Sequence, residues 1–144
     1  VEAINKSKTR IVIAEKYFIL PESLKAALIN AAIRGVRILI VTHGSTREAN
    51  LLKRLASTGI SASNDMDAVG ILANGRNVKI YKFIGDSKIG TIRSYHKKVV
   101  IADDILFAGS PNMGPKSMIK FTDLEVAFRV QSKALTDEYE GLIG

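Results

Sequence analysis

The sequence predicts an α/β domain: a mixed, largely parallel sheet with helices on both faces. Three observations carry that prediction. Short apolar, β-branched runs alternate with stretches of helical periodicity, the connections between them are short, and a β-α-β unit near the N-terminus has its start and stop residues in place. A chain of 144 residues is long enough to bury a core, and residues 1–144 are expected to form a single domain.

The elements follow in order. Thr9 to Ala14 is an apolar run and reads as a buried strand. A helix is expected after Pro21, with Leu24, Ala27, Leu28, Ala31 and Ala32 on one face and Gly35 as its stop. Val36 to Thr42 is the second strand, so the two strands form a parallel pair with a right-handed crossover. Ser45-Thr46-Arg47-Glu48 fits a capping box and opens a helix through Leu51, Leu52, Leu55 and Ala56 that ends at Gly59. A shorter helix is expected from Ala62 to Ala73, stopped near Gly75. Val78 to Phe83 alternates like a strand with one wet face. Ile84 to Ile92 reads as a loop, followed by strands around Ser94 to Ala102, Ile105 to Ala108 and Leu124 to Val130. Ser110 to Phe121 holds two prolines and a glycine and reads as a loop. Ser132 caps a last helix with Leu135, Tyr139 and Leu142 on one side. No internal repeat or low-complexity segment interrupts this order.

Composition narrows the function classes. Hydrophobic residues make up 47% and charged residues 24%, the balance of a soluble or peripheral globular chain. No apolar run approaches the roughly 20 residues that span a bilayer. The sequence assigns no compartment. The absence of cysteine excludes disulfides, thiolate chemistry and cysteine–zinc sites. The net charge of +7 favours phosphate-bearing partners: nucleic acid, anionic lipid or a phosphate substrate. Arg76, Lys79, Lys82, Lys88, Arg93, Lys97 and Lys98 concentrate that charge in one stretch, which on its own reads better as a solvated face and gains an electrostatic reading only beside a phosphate-handling motif.

The chemistry-bearing run is Tyr95-His96-Lys97-Lys98-Val99-Val100-Ile101-Ala102-Asp103, followed by Gly109-Ser110-Pro111-Asn112. It reads as H-x-K-x4-D and then G-S-x-N. Strand residues two apart point the same way, so His96 and Lys98 are expected on one face and Lys97, Val99 and Ile101 on the other. Imidazole can act as nucleophile or general acid near neutral pH. A lysine ammonium stabilises charge on phosphoryl oxygens, which leaves no requirement for a metal or cofactor. Ser110 and Asn112 can donate further hydrogen bonds to the same oxygens. Taken singly, a strand histidine or a G-S-x-N turn is more often structural. Jointly, in this order, they point to a phosphodiester site. His43, at the end of the second strand, has no partner in sequence and reads as a surface or capping residue, although a ligand-facing role suits its position.

This motif resembles the signature of the phospholipase D superfamily of phosphodiesterases. Tyr17 to Val41 is similar to the family's upstream strand–helix–R-G-V–strand segment, and the resemblance runs in order along nearly the whole chain, with Gly59 to Arg93 only loosely matched. It implies two motif-bearing halves meeting on a pseudo-twofold axis. One histidine attacks phosphorus to give a phosphohistidine, and the other protonates the leaving group and then activates water or an alcohol. On this resemblance His96, Lys98, Ser110 and Asn112 face the phosphate, Asp103 completes the catalytic motif in a chiefly structural role, and Glu125 orients a histidine. Departures are a stretch from Asp103 to Gly109 one residue shorter than usual, which implies a tighter hairpin, Asp123 where relatives often have Asn, and Lys116 in place of a common arginine.

A single motif leaves two architectures: a homodimer, or one half of a longer polypeptide that carries a second motif. The start at Val1 and the likeness of Tyr17-Phe18-Ile19-Leu20-Pro21 to C-terminal halves of the lipid-acting branch favour the second, with His96 as general acid/base. The expected activity is hydrolysis or phosphatidyl transfer at phospholipid headgroups, with possible peripheral membrane contact. The alternatives are a metal-independent nuclease working as a homodimer and a non-catalytic half that completes the fold.

Overall fold

The computed structural model describes residues 1–16, 18, 20–43, 70–75, 77–83, 97–109 and 126–143. Within them β1 (Arg10–Glu15), β2 (Arg37–His43), β3 (Val78–Phe83), β4 (Lys98–Ala102), β5 (Ile105–Gly109) and β6 (Ala127–Gln131) form one sheet in the order β3-β2-β1-β4-β5-β6. Helices α1 (Glu2–Lys6) and α2 (Glu22–Ile33) pack on one face and α3 (Lys133–Ile143) on the other. The α/β class and the mixed sheet stand as expected. The parallel share is smaller than "largely": β1–β2 and β2–β3 are parallel, but β1–β4, β4–β5 and β5–β6 are antiparallel. A two-residue turn joins β4 to β5, and so short a link can only reverse the chain.

Strand β1 is the spine. Ile11, Val12, Ile13 and Ala14 are all fully buried, the continuous apolar run of a strand covered on both faces. Ile11 and Ile13 pack with Phe18, Leu24, Leu28, Ile38 and Ile40 beneath α1 and α2. Val12 and Ala14 pack with Val99, Ile101 and Leu106 beneath α3. Each fully buried aliphatic side chain contributes roughly 1.5–3 kcal/mol, so this two-sided burial outweighs any single polar contact in the fold.

Helix α2 buries the five residues its periodicity singled out: Leu24, Ala27, Leu28, Ala31 and Ala32. Three of them are alanines, which lets the helix lie close to the sheet. It stops where expected. Gly35 adopts φ +83, its amide donates to the Ala32 carbonyl (3.0 Å), and the Val36 amide donates to the Ala31 carbonyl (3.1 Å). That is a Schellman stop, which needs a residue without Cβ strain in the left-handed region. Arg34 then reaches back to the Ile4 and Ser7 carbonyls and ties α1 to the end of α2.

At the C-terminal end, Ser132 caps α3 as predicted, its hydroxyl accepting from the Leu135 amide (3.3 Å). Leu135 and Tyr139 face the core, but the third expected residue does not. Leu142 is 67% exposed and Ile143 packs in its place, because spacing by four keeps 135, 139 and 143 in line along the helix. The backbone is helical at residues 70–72 and turns before Gly75, as the expected end of the Ala62 to Ala73 helix requires. The Ser45 capping box with its helix, the Ile84 to Ile92 and Ser110 to Phe121 loops, and the strand portions at 94–96 and 124–125 lie outside the described residues.

Candidate functional site

Of the predicted site residues, Lys98 and Asp103 are among the described ones; His96, Ser110, Asn112 and Glu125 lie outside them. Lys98 opens β4, half-buried, and its strand alternates as predicted. Val99 and Ile101 face α3, while Lys98, Val100 and Ala102 face the other side. Lys97 follows the opposite parity to Lys98, and its ammonium donates to the Leu142 carbonyl (3.0 Å) at the end of α3, a favourable place for a cation. The face that carries Lys98 lines a cavity of about 870 Å³, together with Val100, Phe107 and Gly109.

Sheet register brings further polar groups to this rim. Glu15, the last residue of β1, is the direct cross-strand partner of Lys98 and lines the same cavity. Glu15 is also in register with Thr42 of β2, and Thr42 with Lys82 of β3. Residues paired across a sheet share a face, so Lys82, Thr42, Glu15 and Lys98 form a polar row at the carboxyl ends of the three parallel strands. That end of an open α/β sheet is where ligands bind. Thr42 is fully buried and its hydroxyl donates to the Lys16 carbonyl (3.3 Å). Glu15 is 2% exposed. Sequence reading passed over Glu15 and Thr42. Their signal was parity: both continue the inward register of Ile11–Ile13 and Ile38–Ile40, yet both are polar. His43 ends β2 beside this rim, and its side chain lies outside the described set.

Asp103 borders the same cavity at its opposite end. It occupies the β4–β5 turn at φ 51, a left-handed position that Asp tolerates better than most residues. One carboxylate oxygen accepts from the Thr9 amide (2.9 Å), the Arg10 amide (3.1 Å) and the Thr9 hydroxyl (2.8 Å); the other accepts from the Lys8 amide (3.0 Å). Burial alone would raise its pKa, but the amides of Thr9, Lys8 and Arg10 with the Thr9 hydroxyl prevail and hold it down to about 2. Five residues of extended chain separate it from Lys98, roughly 16 Å at about 3.3 Å per residue. The carboxylate therefore organises backbone at the far end of β1 and does not share a phosphate with Lys98.

Arg10 reinforces that far end. Its guanidinium pairs with Glu140 and Asp137 (2.7 Å each), bonds the Thr136 hydroxyl (2.7 Å) and, through Nε, the Asp103 carbonyl (3.1 Å). Arg37 takes the other oxygen of Glu140 (2.7 Å). This cluster clamps α3 across β1, β2 and the β4–β5 turn.

Gly109, just before Ser110, has a geometric reason to be glycine. A Cβ there would lie 2.2 Å from the Val126 carbonyl oxygen and 2.6 Å from the Ala127 Cα. Only glycine lets β6 close on β5 at this point.

The same fold recurs in solved structures. The chain is similar to a phospholipase D family member, Nuc, from Salmonella typhimurium, with 19% identity and a TM-score of 0.70, over 99% of this chain and 80% of that one. NucT from Helicobacter pylori gives 20% identity and a TM-score of 0.69 over the same shares. Phosphatidylserine synthase from Haemophilus influenzae Rd KW20 gives 14% identity and a TM-score of 0.79, with 99% of this chain matching 34% of that enzyme. No curated protein sequence matches the chain. A family model described as "Cardiolipin synthase, PLD-like domain" matches residues 1–143. The chain belongs to that family, the PLD-like domains of the phospholipase D superfamily of phosphodiesterases.

Proposed function

We propose that this domain is one half of a phosphodiesterase site that hydrolyses or exchanges phospholipid headgroups through a phosphohistidine. The observation that carries the reading is the placement of Lys98, at the carboxyl-end rim of the sheet, facing a cavity that runs along β4, β5 and β6, and two residues from His96. The description of the matching family model supports lipid phosphodiester chemistry. Among the described residues no helix is long and apolar enough to cross a membrane, so a lipid substrate would be met at a surface.

In this reading Lys98 neutralises a phosphoryl oxygen, where charge gathers in the transition state. His96 serves as general acid/base or nucleophile, and the complementary histidine comes from a second motif-bearing half or a homodimer mate. Ser110 and Asn112 donate to the remaining oxygens, Glu125 orients a histidine, and Asp103 acts structurally through the backbone it caps.

A second reading, a metal-independent nuclease working as a homodimer, has its own support. The chain spans 80% of Nuc and of NucT but 34% of the phosphatidylserine synthase, and its charge is +7. The test is an assay of purified protein and His96→Ala on phosphatidylcholine and phosphatidylglycerol vesicles and on single- and double-stranded DNA, with chelator present. Headgroup release that vanishes in His96→Ala supports the lipid reading. DNA cleavage without headgroup release selects the nuclease, and turnover of neither by protein that sediments as a dimer supports a non-catalytic half.

A further inference from the structure

We infer that Glu15 determines charge selectivity at this site: its buried carboxylate, opposite Lys98, accepts the single charge of a phosphodiester and repels the second charge of a phosphomonoester. The inference rests on the phosphodiesterase reading above and adds to it a residue and a selectivity. Glu15 follows four aliphatic residues, Ile11 to Ala14, that bury both faces of β1, and its side chain points to the face that carries the cavity. Burying a carboxylate there is costly, and apolar side chains at that position would pack without that cost.

Its placement gives it a consequence for substrate. Directly paired residues of an antiparallel ladder hold their Cβ atoms about 4.5–5.5 Å apart, so Glu15 and Lys98 leave the sheet side by side. A phosphoryl group held by the Lys98 ammonium therefore lies close to the Glu15 carboxylate. On the other flank of Glu15 stands Thr42, which is neutral. A lone lysine would favour the more highly charged ligand. With a carboxylate alongside, the second negative charge of a monoester meets repulsion that a diester avoids, and at this range in a partly desolvated site the bias is on the order of tenfold.

The direction suits the reaction. A diester carries one negative charge, whereas a monoester, with a second pKa of about 6, carries two above neutrality. Diester hydrolysis turns the first into the second. A site with this charge balance binds substrate and sheds product, so removal of the Glu15 charge converts a product that leaves into one that inhibits.

The test is a 31P NMR titration of the protein at pH 8 with dimethyl phosphate, a singly charged diester, and methyl phosphate, a doubly charged monoester. Glu15→Gln should shift the affinity ratio toward the monoester by about tenfold, and Glu15→Asp, which keeps the charge, should leave it near the wild-type value. A Gln variant within twofold of wild type, or an Asp variant that shifts as far as Gln, overturns the inference. Should Glu15→Gln not fold, His96→Ala, which removes the imidazole that titrates in this range, still decides. Its affinity for methyl phosphate relative to dimethyl phosphate should fall from pH 5 to pH 8, and a rise overturns the proposal. Binding of neither ester removes the phosphodiesterase reading and this inference together. Binding of the diester with an unresponsive ratio removes this inference alone.

Discussion

At the start of β1, Arg10 and the neighbouring Asp103 direct their charge inward, onto backbone amides, the carboxylates of α3 and a turn carbonyl. At its end, only a few residues on, Glu15 and Lys98 carry the same two charge signs and face the cavity whose far end Asp103 borders, without the cluster of backbone amides that holds Asp103. Both pairs join β1 to β4 or the turn that follows it. The difference lies in surroundings: helix and loop backbone close over the first pair, whereas the second stands at the carboxyl-end rim, where a parallel sheet leaves a crevice. A motif that reads as one unit, H-x-K-x4-D, is thus divided by the strand that carries it. Its lysine faces a candidate phosphate site, and its aspartate, a strand length away, fixes the sheet.

That contrast can be broken at several points. The largest structural effect is expected at the rim, from Gly109→Ala, whose methyl group would collide with the Val126 and Ala127 backbone. A loss of about 3 kcal/mol in urea unfolding, with β6 displaced, is expected because backbone cannot yield as a flexible side chain does. Unchanged stability would show that β6 closes differently.

Arg10→Met comes next. It leaves Asp137 and Glu140 without their shared guanidinium, and since both acids are partly solvated the expected cost is about 2 kcal/mol, below that of a fully buried pair. Amide hydrogen exchange should show α3 opening first.

Asp103 offers a pH test. Its folded pKa of about 2 lies below the ordinary 3.8, so the folded state favours the carboxylate. The stability it contributes is present above the unfolded value and is lost as pH falls from about 4 through 2. Asp103→Asn should flatten wild-type acid sensitivity in that window. An unaltered acid profile would remove Asp103 from its assigned role. The smallest effect is expected from Lys133→Ala: its ion pair with Asp137 is exposed and one turn apart in the helix, so the denaturation midpoint should stay at the wild-type value.

Local patterning accounts for most of what was legible in the sequence. The α2 face, its Gly35 stop, the Ser132 cap and the parity of Lys98 against Val99 all follow from periods of 3.6 and 2 and from capping chemistry. Three features escaped, the last two for non-local reasons. Helix α1 is five residues long, too short for a periodic signal. The antiparallel pairing of β4 with β1 depends on where β4 docks, on the edge of β1 rather than beyond β3. Glu15 belongs to the rim only once Ala14 is paired with Val99 and Glu15 with Lys98, a register set between residues more than eighty apart in sequence. The role of Asp103 in capping Lys8 to Arg10 is non-local for the same reason.

The most direct test of the account is a paired measurement on Lys98→Ala: turnover of a phosphodiester substrate and urea stability, each beside wild type. Removing a charge aimed at phosphoryl oxygens should lower turnover by about 100-fold or more, while stability stays within about 1 kcal/mol because the fold's clamp lies at the other end of β1. Turnover within tenfold of wild type, or a loss matched by unfolding, would contradict the division of labour along the strand.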